Sequence, residues 1–356
     1  MSPDTGQLAL RLAKQIEGSG PISVTEYMRA ANTEYYGAGD PIGVDGDFIT
    51  APEISQMFGE LVGMWLTDIW IRQNRPENCR LVELGPGRGT LAADALRAMA
   101  TFDLAPDVHF VENSEALQAK QRANVPNVTF HNSVETLPGD GPLLVVANEF
   151  FDALPVRQLI LTHAGWRERV VVRDRGTRFA AMPGSSPMDA AVPEAFRNAP
   201  VGSIIESAPD SAAAMYDIAG RIAKQGGAML VIDYGYVQPG LGSTLQAVKA
   251  HEYADPFLDP GSCDLTAHVN FYELGNVARM RELEVAGPAT QGVWLSALGL
   301  NQRAAMLAEA SPQRADEFHA ARDRLMKADK MGTLFKVMAV HSADWPAPDG
   351  FGSAIA

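Results

Sequence analysis

Cysteine is nearly absent from this chain. Cys79 and Cys263 are the only two in 356 residues, far apart and outside any Cys-x-x-Cys or Cys/His grouping. That spacing offers neither a disulfide framework nor a zinc site, and no metal is implied. Basic residues are also scarce: 29 Lys and Arg against 43 Asp and Glu leave a net charge of −14. Nucleic-acid binders present a basic footprint, so this balance argues against nucleic acid as a partner. It suits basic partners such as an arginine- or lysine-bearing protein, and it also serves plain solubility. No apolar run reaches the roughly 18 residues that a membrane-spanning helix needs. The opening MSPDTGQLALRLAKQIEGSG has an acid at position 4, is not rich in arginine and lacks an apolar stretch of signal-peptide length. Together these absences lead to the expectation of a protein in the reducing cytoplasm.

What is present has an order. Residues 1–75 read as a helical region. Leu8, Leu10, Leu12 and Ile16 mark one helix, and Val24, Tyr27 and Met28 mark another. After a glycine-rich stretch, Thr50 and Glu53 stand at capping-box spacing around Pro52. An apolar stripe then runs through Ile54, Met57, Phe58, Leu61, Met64, Trp65 and Ile69, wide enough for core or for a contact in a homodimer. From Arg80 strand and helix alternate. RLVEL, VHFV, NVTFHN, PLLVVAN and GAMLVIDYG read as strands, TLAADALRAMA and IAGRIAKQ as helices, and LEVAG and TLFKVMAV as late strands. Such alternation predicts an α/β fold with a parallel sheet over 76–345. Two segments break the rhythm and read as insertions on that sheet: about 156–200, patterned as antiparallel strands, and about 290–330, patterned as helices.

The turn after the first strand narrows the ligand. Glu83-Leu84-Gly85-Pro86-Gly87-Arg88-Gly89-Thr90 places glycines at i, i+2 and i+4. The dinucleotide fingerprint requires its third glycine one place later, and the Gly-Lys-Ser/Thr ending of a P-loop is missing. A carboxylate just before the glycines repels a pyrophosphate but suits a cation. S-adenosylmethionine (SAM) carries an ammonium and a sulfonium and no phosphate, so it is the expected cofactor. Gly85, Pro86, Gly87 and Gly89 then form its turn. Glu112, ending the second strand with Asn113 beside it, is placed to take the ribose hydroxyls. Asn132 and Ser133, after the third strand, are placed to meet the adenine edge. The segment GDFITAPEISQ reads as a cover over the cofactor, with Thr50, Ser55 and Gln56 as its contacting polar groups.

The fourth strand ends in Asn148, Glu149, Phe150, Phe151 and Asp152. Ligands of open α/β sheets lie beyond the carboxyl ends of the strands, so this corner faces the methyl group and its acceptor. Glu149 is the expected catalytic carboxylate, with Asp152 second. Asn148 and Phe151 shape the path to the methyl. Asp152 also fits a cap on the turn before Leu154-Pro155. An Asn followed three places later by an aromatic resembles the Asn-Pro-Pro-Tyr signature of enzymes that methylate amino groups, with Glu149 and Phe150 replacing the prolines. A small-molecule or amino-group acceptor therefore stays open, as does a SAM-binding assembly factor with little turnover. His268 with Asp264, and Tyr234 after the fifth strand, are further candidates for the pocket.

Four blocks in order, GDFITAPEISQMFGEL, ELGPGRGTL, NEFFDALPV and DLTAHVNF, resemble the MidA-like family of SAM-dependent methyltransferases. The resemblance covers nearly the whole chain. It implies a Rossmann-like class I methyltransferase sheet with an N-terminal helical region and inserted segments. For the mitochondrial branch of the family it also implies methylation of an arginine guanidinium on a respiratory complex I subunit.

Overall fold

The computed structural model describes residues 5–37, 50–174, 176, 178–249 and 252–352. The first four residues of the cover segment, GDFI at 46–49, lie outside them. The chain divides into two compact units. One is built from the described residues of Met1–Phe48, Asp152–Ala213 and Gln238–Asn270, the other from those of Ile49–Phe151, Ala214–Val237 and Phe271–Ala356. The boundary at 75 expected from sequence does not coincide with this division, because the described residues from Thr50 onward belong to the sheet unit.

The sheet unit contains β1 (Arg80–Leu84), β2 (Asp107–Val111), β3 (Val128–His131), β4 (Leu143–Asn148), β5 (Gly227–Tyr236), β6 (Glu284–Thr290) and β7 (Phe335–His341). Their spatial order is β3-β2-β1-β4-β5-β7-β6. The first five run parallel, and β7 enters antiparallel to both β5 and β6. Every residue of β1 and β4 is buried, as in strands covered on both faces, and β4 is apolar from Leu143 to Ala147. The order reverses between β1 and β4, where Glu83 pairs with Val146. An open α/β sheet keeps its ligand crevice at such a reversal.

Two helices shape that edge. α3 (Gln56–Arg72) packs along α4 (Thr90–Ala100). Close approach is enforced by glycine: a Cβ on Gly59 would lie 2.6 Å from Asp94 Cβ, and one on Gly63 would lie 2.5 Å from the Ala95 carbonyl oxygen. Met57, Phe58, Leu61, Trp65 and Ile69 are buried within the chain, so most of the apolar stripe is core; only Met64 is exposed. The capping box is corrected. Thr50 makes no side-chain cap bond, and Ser55 instead caps α3 by accepting from the Met57 amide at 3.2 Å. Extended backbone at Ser55 separates the short helical turn Ala51–Ile54 from α3, so the two are different helices with different caps.

The second unit joins α1 (Thr5–Ser19) and α2 (Val24–Gly37) to antiparallel strands 157–162, 165–173, 179–187 and 204–207 and to a small sheet of 246–249, 252–254 and 264–266. Its core includes Leu8, Leu12, Ile16, Tyr27, Met28, Val171 and Leu265, while Leu10 points to solvent. Buried Asn32 ties its pieces together: its amide donates to the carbonyls of Ala153 and Leu265, and its carbonyl accepts from the Leu265 amide. The stretch at 156–200 is thus strand-rich, and that at 290–330 is helical, with helices Gln291–Ala297, Leu300–Ala310 and Ala315–Met326 in the sheet unit. Among the described residues no helix is long and apolar enough to cross a membrane.

Candidate active site

The glycine turn leaves β1 with Gly85, Gly87 and Gly89 at φ of 60°, 56° and 79°, a region that side chains with a Cβ enter only at a cost. Gly85 needs its missing side chain twice over, because a Cβ there would lie 2.9 Å from the Phe150 ring. The turn closes when the Gly89 amide donates to the Pro86 carbonyl at 2.7 Å, and Gly89 then starts α4. Behind it Glu83 is fully buried. Desolvation pushes its carboxyl up to about 8 against an opposing hydrogen bond from the Ala92 amide. Its Oε2 has no hydrogen-bond partner among the described residues. A buried acid held this way is stabilised by a cation arriving beside it.

Glu112 follows β2, and its backbone amide donates to the His131 carbonyl at 3.0 Å. Its carboxylate accepts from the Ser114 amide at 2.7 Å and from Gln121 Nε2 at 3.1 Å. Burial raises its pKa, and these bonds oppose the rise. Gln121 is fully buried and also donates to the Gly87 carbonyl at 2.7 Å, so one amide links the ribose candidate to the glycine turn. Gln121 escaped the sequence reading because it lies in the polar helix Glu115–Asn124; its spacing of four from buried Leu117 was the available signal. Asn113 and Asn132 are exposed, and Ser133 is half-buried ahead of a short helical turn.

At the end of β4, Asn148 is buried and its Oδ1 has no hydrogen-bond partner among the described residues. Glu149 takes up a left-handed φ of 49°, rare for a residue with a side chain. Its amide donates to the Ile232 carbonyl, which fixes the corner against β5. Its Oε1 accepts from the Ala51 amide at 3.2 Å and lies 3.4 Å from Asn148 Nδ2. The Phe151 ring is buried edge-on to Phe150, and its amide donates to fully buried Asp233. Phe150, not Phe151, is therefore the ring against the glycine turn. Tyr234 stands edge-on to Phe335 at 5.5 Å in the same unit.

Three sequence candidates fall in the other unit. Asp152 is buried, and its carbonyl accepts from the Ala267 amide. Asp264 accepts from the Tyr36 hydroxyl at 2.6 Å, and burial with that acid holds Tyr36 well above the usual phenol range. The His268 amide donates to Thr244 Oγ1 at 2.9 Å. Among the described residues no group of three or more His, Cys, Asp or Glu is arranged to hold a metal ion.

Comparison with known proteins decides the family. A sequence model of S-adenosyl-L-methionine-dependent methyltransferases matches residues 61–289. The chain belongs to this family. This methyltransferase is 35% identical to the mitochondrial protein arginine methyltransferase NDUFAF7 homolog of Drosophila melanogaster, over 94% of the chain and 85% of the relative. It is 32% identical to the mitochondrial protein arginine methyltransferase NDUFAF7 of Homo sapiens, over 92% and 82%. It is also similar to a crystal structure from Burkholderia thailandensis bound to S-adenosyl-homocysteine, with TM-score 0.86 and 26% identity over 99% of this chain and 97% of that one. The fold is the Rossmann-like methyltransferase sheet, and the enzyme uses SAM. The expected cytoplasmic location is overturned, because these relatives are mitochondrial by name.

The residues present fit SAM. The orphaned, buried Glu83 oxygen suits a cation, the Glu112 carboxylate suits ribose hydroxyls, and the glycines leave room for close backbone approach.

Proposed function

We propose that this methyltransferase modifies an arginine guanidinium of a protein substrate, with Glu149 as the residue that holds the acceptor. The observation that carries the reading is the Glu149 corner: a carboxylate in a strained backbone conformation, fixed by Ile232 and Ala51, at the carboxyl end of β4 beside the glycine turn. Strain of this kind persists only where the surroundings over-determine it, and it gathers at working sites. The protein arginine methyltransferase names of the relatives support the same acceptor.

The cofactor pocket in this reading comprises Glu83, Gly85, Pro86, Gly87, Gly89, Glu112, Asn113, Asn132, Ser133 and Asn148, with Thr50 and Ser55 from the covering segment. Bound there, SAM supplies an electrophilic methyl on a sulfonium. Glu149 pairs with the planar guanidinium through charge-assisted hydrogen bonds and turns one nitrogen toward that methyl. Asn148 Oδ1 accepts from a guanidinium N–H, and Phe150 closes one side of the path. The proton lost from the attacking nitrogen leaves through Glu149 to water. Most of the acceleration comes from orientation in a poorly solvated site. The four sequence blocks make a complex I subunit the first acceptor to test.

Glu149→Gln keeps the side chain's shape and removes its charge. The expected result is methyl transfer lowered by roughly 100-fold, the scale of losing one charge contact in a transition state. SAM affinity by calorimetry should stay within a few-fold of the wild type. Normal turnover of the variant on an arginine acceptor would remove Glu149 from this role.

A further inference from the structure

The helical turn Ala51–Ile54 touches both halves of the site from one short segment. At one end, Glu53 Oε1 accepts from Thr90 Oγ1 at 2.5 Å, and Oε2 lies 3.7 Å from Arg88 Nη1. Thr90 and Arg88 belong to the glycine turn and the start of α4. At the other end, the Ala51 amide donates to Glu149 Oε1. Between them Ala51 and Pro52 are buried, so the turn is packed in place. The Thr50 side chain makes no cap bond, and the Glu53 carboxylate faces Thr90 and Arg88 of the cofactor loop.

We propose that Glu53 is a positioning residue: through Thr90 and Arg88 it locks the 51–54 turn onto the glycine loop, and through the Ala51 amide that lock sets the orientation of the Glu149 carboxylate. Loop geometry and acceptor-carboxylate geometry are then fixed together. A carboxylate accepting one backbone N–H cannot swing freely about its end torsion, so the Ala51 bond sets where the acceptor-facing side points. The Thr90 hydrogen bond to the Glu53 carboxylate is charge-assisted, and such bonds are the stronger class. The functional part of this proposal rests on the reading of Glu149 given above; the mechanical part does not.

The test uses the full chain and two readouts. The first is hydrogen exchange of the Ala51 amide followed by NMR. Glu53→Ala and Thr90→Val should each speed it by about tenfold, the effect of losing one charged hydrogen bond, whereas Thr90→Ser, which keeps the hydroxyl, should not. The double variant should match Glu53→Ala, which already removes the carboxylate that Thr90 contacts. Unchanged Ala51 exchange in Glu53→Ala, or wild-type exchange in Thr90→Val, would overturn the proposal.

The second readout compares the affinity of sinefungin, which carries an ammonium where SAM carries its methyl, with that of S-adenosyl-homocysteine. A well-placed Glu149 favours the ammonium ligand. Glu53→Ala should reduce that preference about as far as Glu149→Gln does, by about tenfold, and should add nothing in a Glu149→Gln background. Equal weakening of both ligands by Glu53→Ala, with the preference intact, would mark Glu53 as merely structural and overturn the proposal. If Glu149→Gln itself leaves the preference intact, the acceptor reading of Glu149 fails, and the exchange result alone decides the linkage.

Discussion

At the scale of single residues, the energetics centre on acids that fold against their own hydration. Glu83 has an ordinary carboxyl value of 4.5 and a folded value near 8. Its folded pKa is raised, so its contribution to stability is complete below 4.5 and is lost as pH climbs through 8. A cation arriving beside it favours the charged form, so binding SAM must release a proton wherever Glu83 starts protonated. Affinity should therefore rise with pH between about 6 and 8, by up to about tenfold per unit well below the folded pKa. Calorimetry in buffers of different ionisation heat reads that proton directly, and Glu83→Gln should abolish both the release and the slope. A flat affinity over this range in the wild type would contradict the assignment of Glu83 to the cation. Gly85→Ala gives an independent reading. It forces a Cβ into left-handed backbone and against Phe150, and should weaken S-adenosyl-homocysteine binding about tenfold or more, given the roughly 1–2 kcal/mol cost of that conformation and the added clash.

At the scale of elements, the β2–β3 edge carries a device of its own. His109 Nδ1 lies 2.9 Å from His131 Nε2, and His131 Nδ1 lies 3.0 Å from Thr136 Oγ1, whose hydroxyl donates to the Ser133 carbonyl. Burial favours the neutral form of both rings, and with both neutral that direction leaves His131 Nε2 to accept from His109 Nδ1–H. Burial, His131 and Arg80 drive His109 down to about 4, with Asp107 opposing; burial and Arg221 lower His131 against its bond to Thr136. A lowered folded pKa means the pair's contribution is complete above the ordinary value of 6.5 and is lost as pH falls from there toward 4. Thermal melts across that window should show an acid limb that is shallower in His109→Phe; identical limbs would remove the pair from the account. The elements differ in how far the sequence revealed them. β4 was legible because an unbroken apolar run stops at Asn148 and Glu149, and the glycine turn was legible because its spacing excludes the phosphate motifs. The slot of β7 between β5 and β6 was not, since it depends on antiparallel pairing with two segments that lie far from it in the chain, Ala228 with His341 and Glu284 with His341. Nor was the use of Glu53: capping spacing looked sufficient, and only the packing of α3 on α4 brings Thr90 within its reach.

At the scale of the whole molecule, net charge and connectivity bear on the acceptor. The second unit is stitched from three stretches of chain, which no local pattern announces; the Asn32 bridge to Ala153 and Leu265 shows how widely separated residues meet there. A net charge of −14 attracts a basic acceptor over distance, so the apparent KM for an arginine-bearing substrate should rise with salt while kcat changes little. A KM indifferent to salt between low and physiological strength would deny that steering. The central claim, transfer of a methyl from SAM to a protein arginine at the Glu149 corner, meets its most direct measurement in residue-level mapping of the product. The purified enzyme is incubated with SAM carrying a labelled methyl and a lysate from cells lacking the gene, and labelled peptides are sequenced by mass spectrometry. The account predicts label on arginine side-chain nitrogens of a protein, absent or lowered by roughly 100-fold with Glu149→Gln. Label found on a small molecule, a base or a different side chain would contradict it.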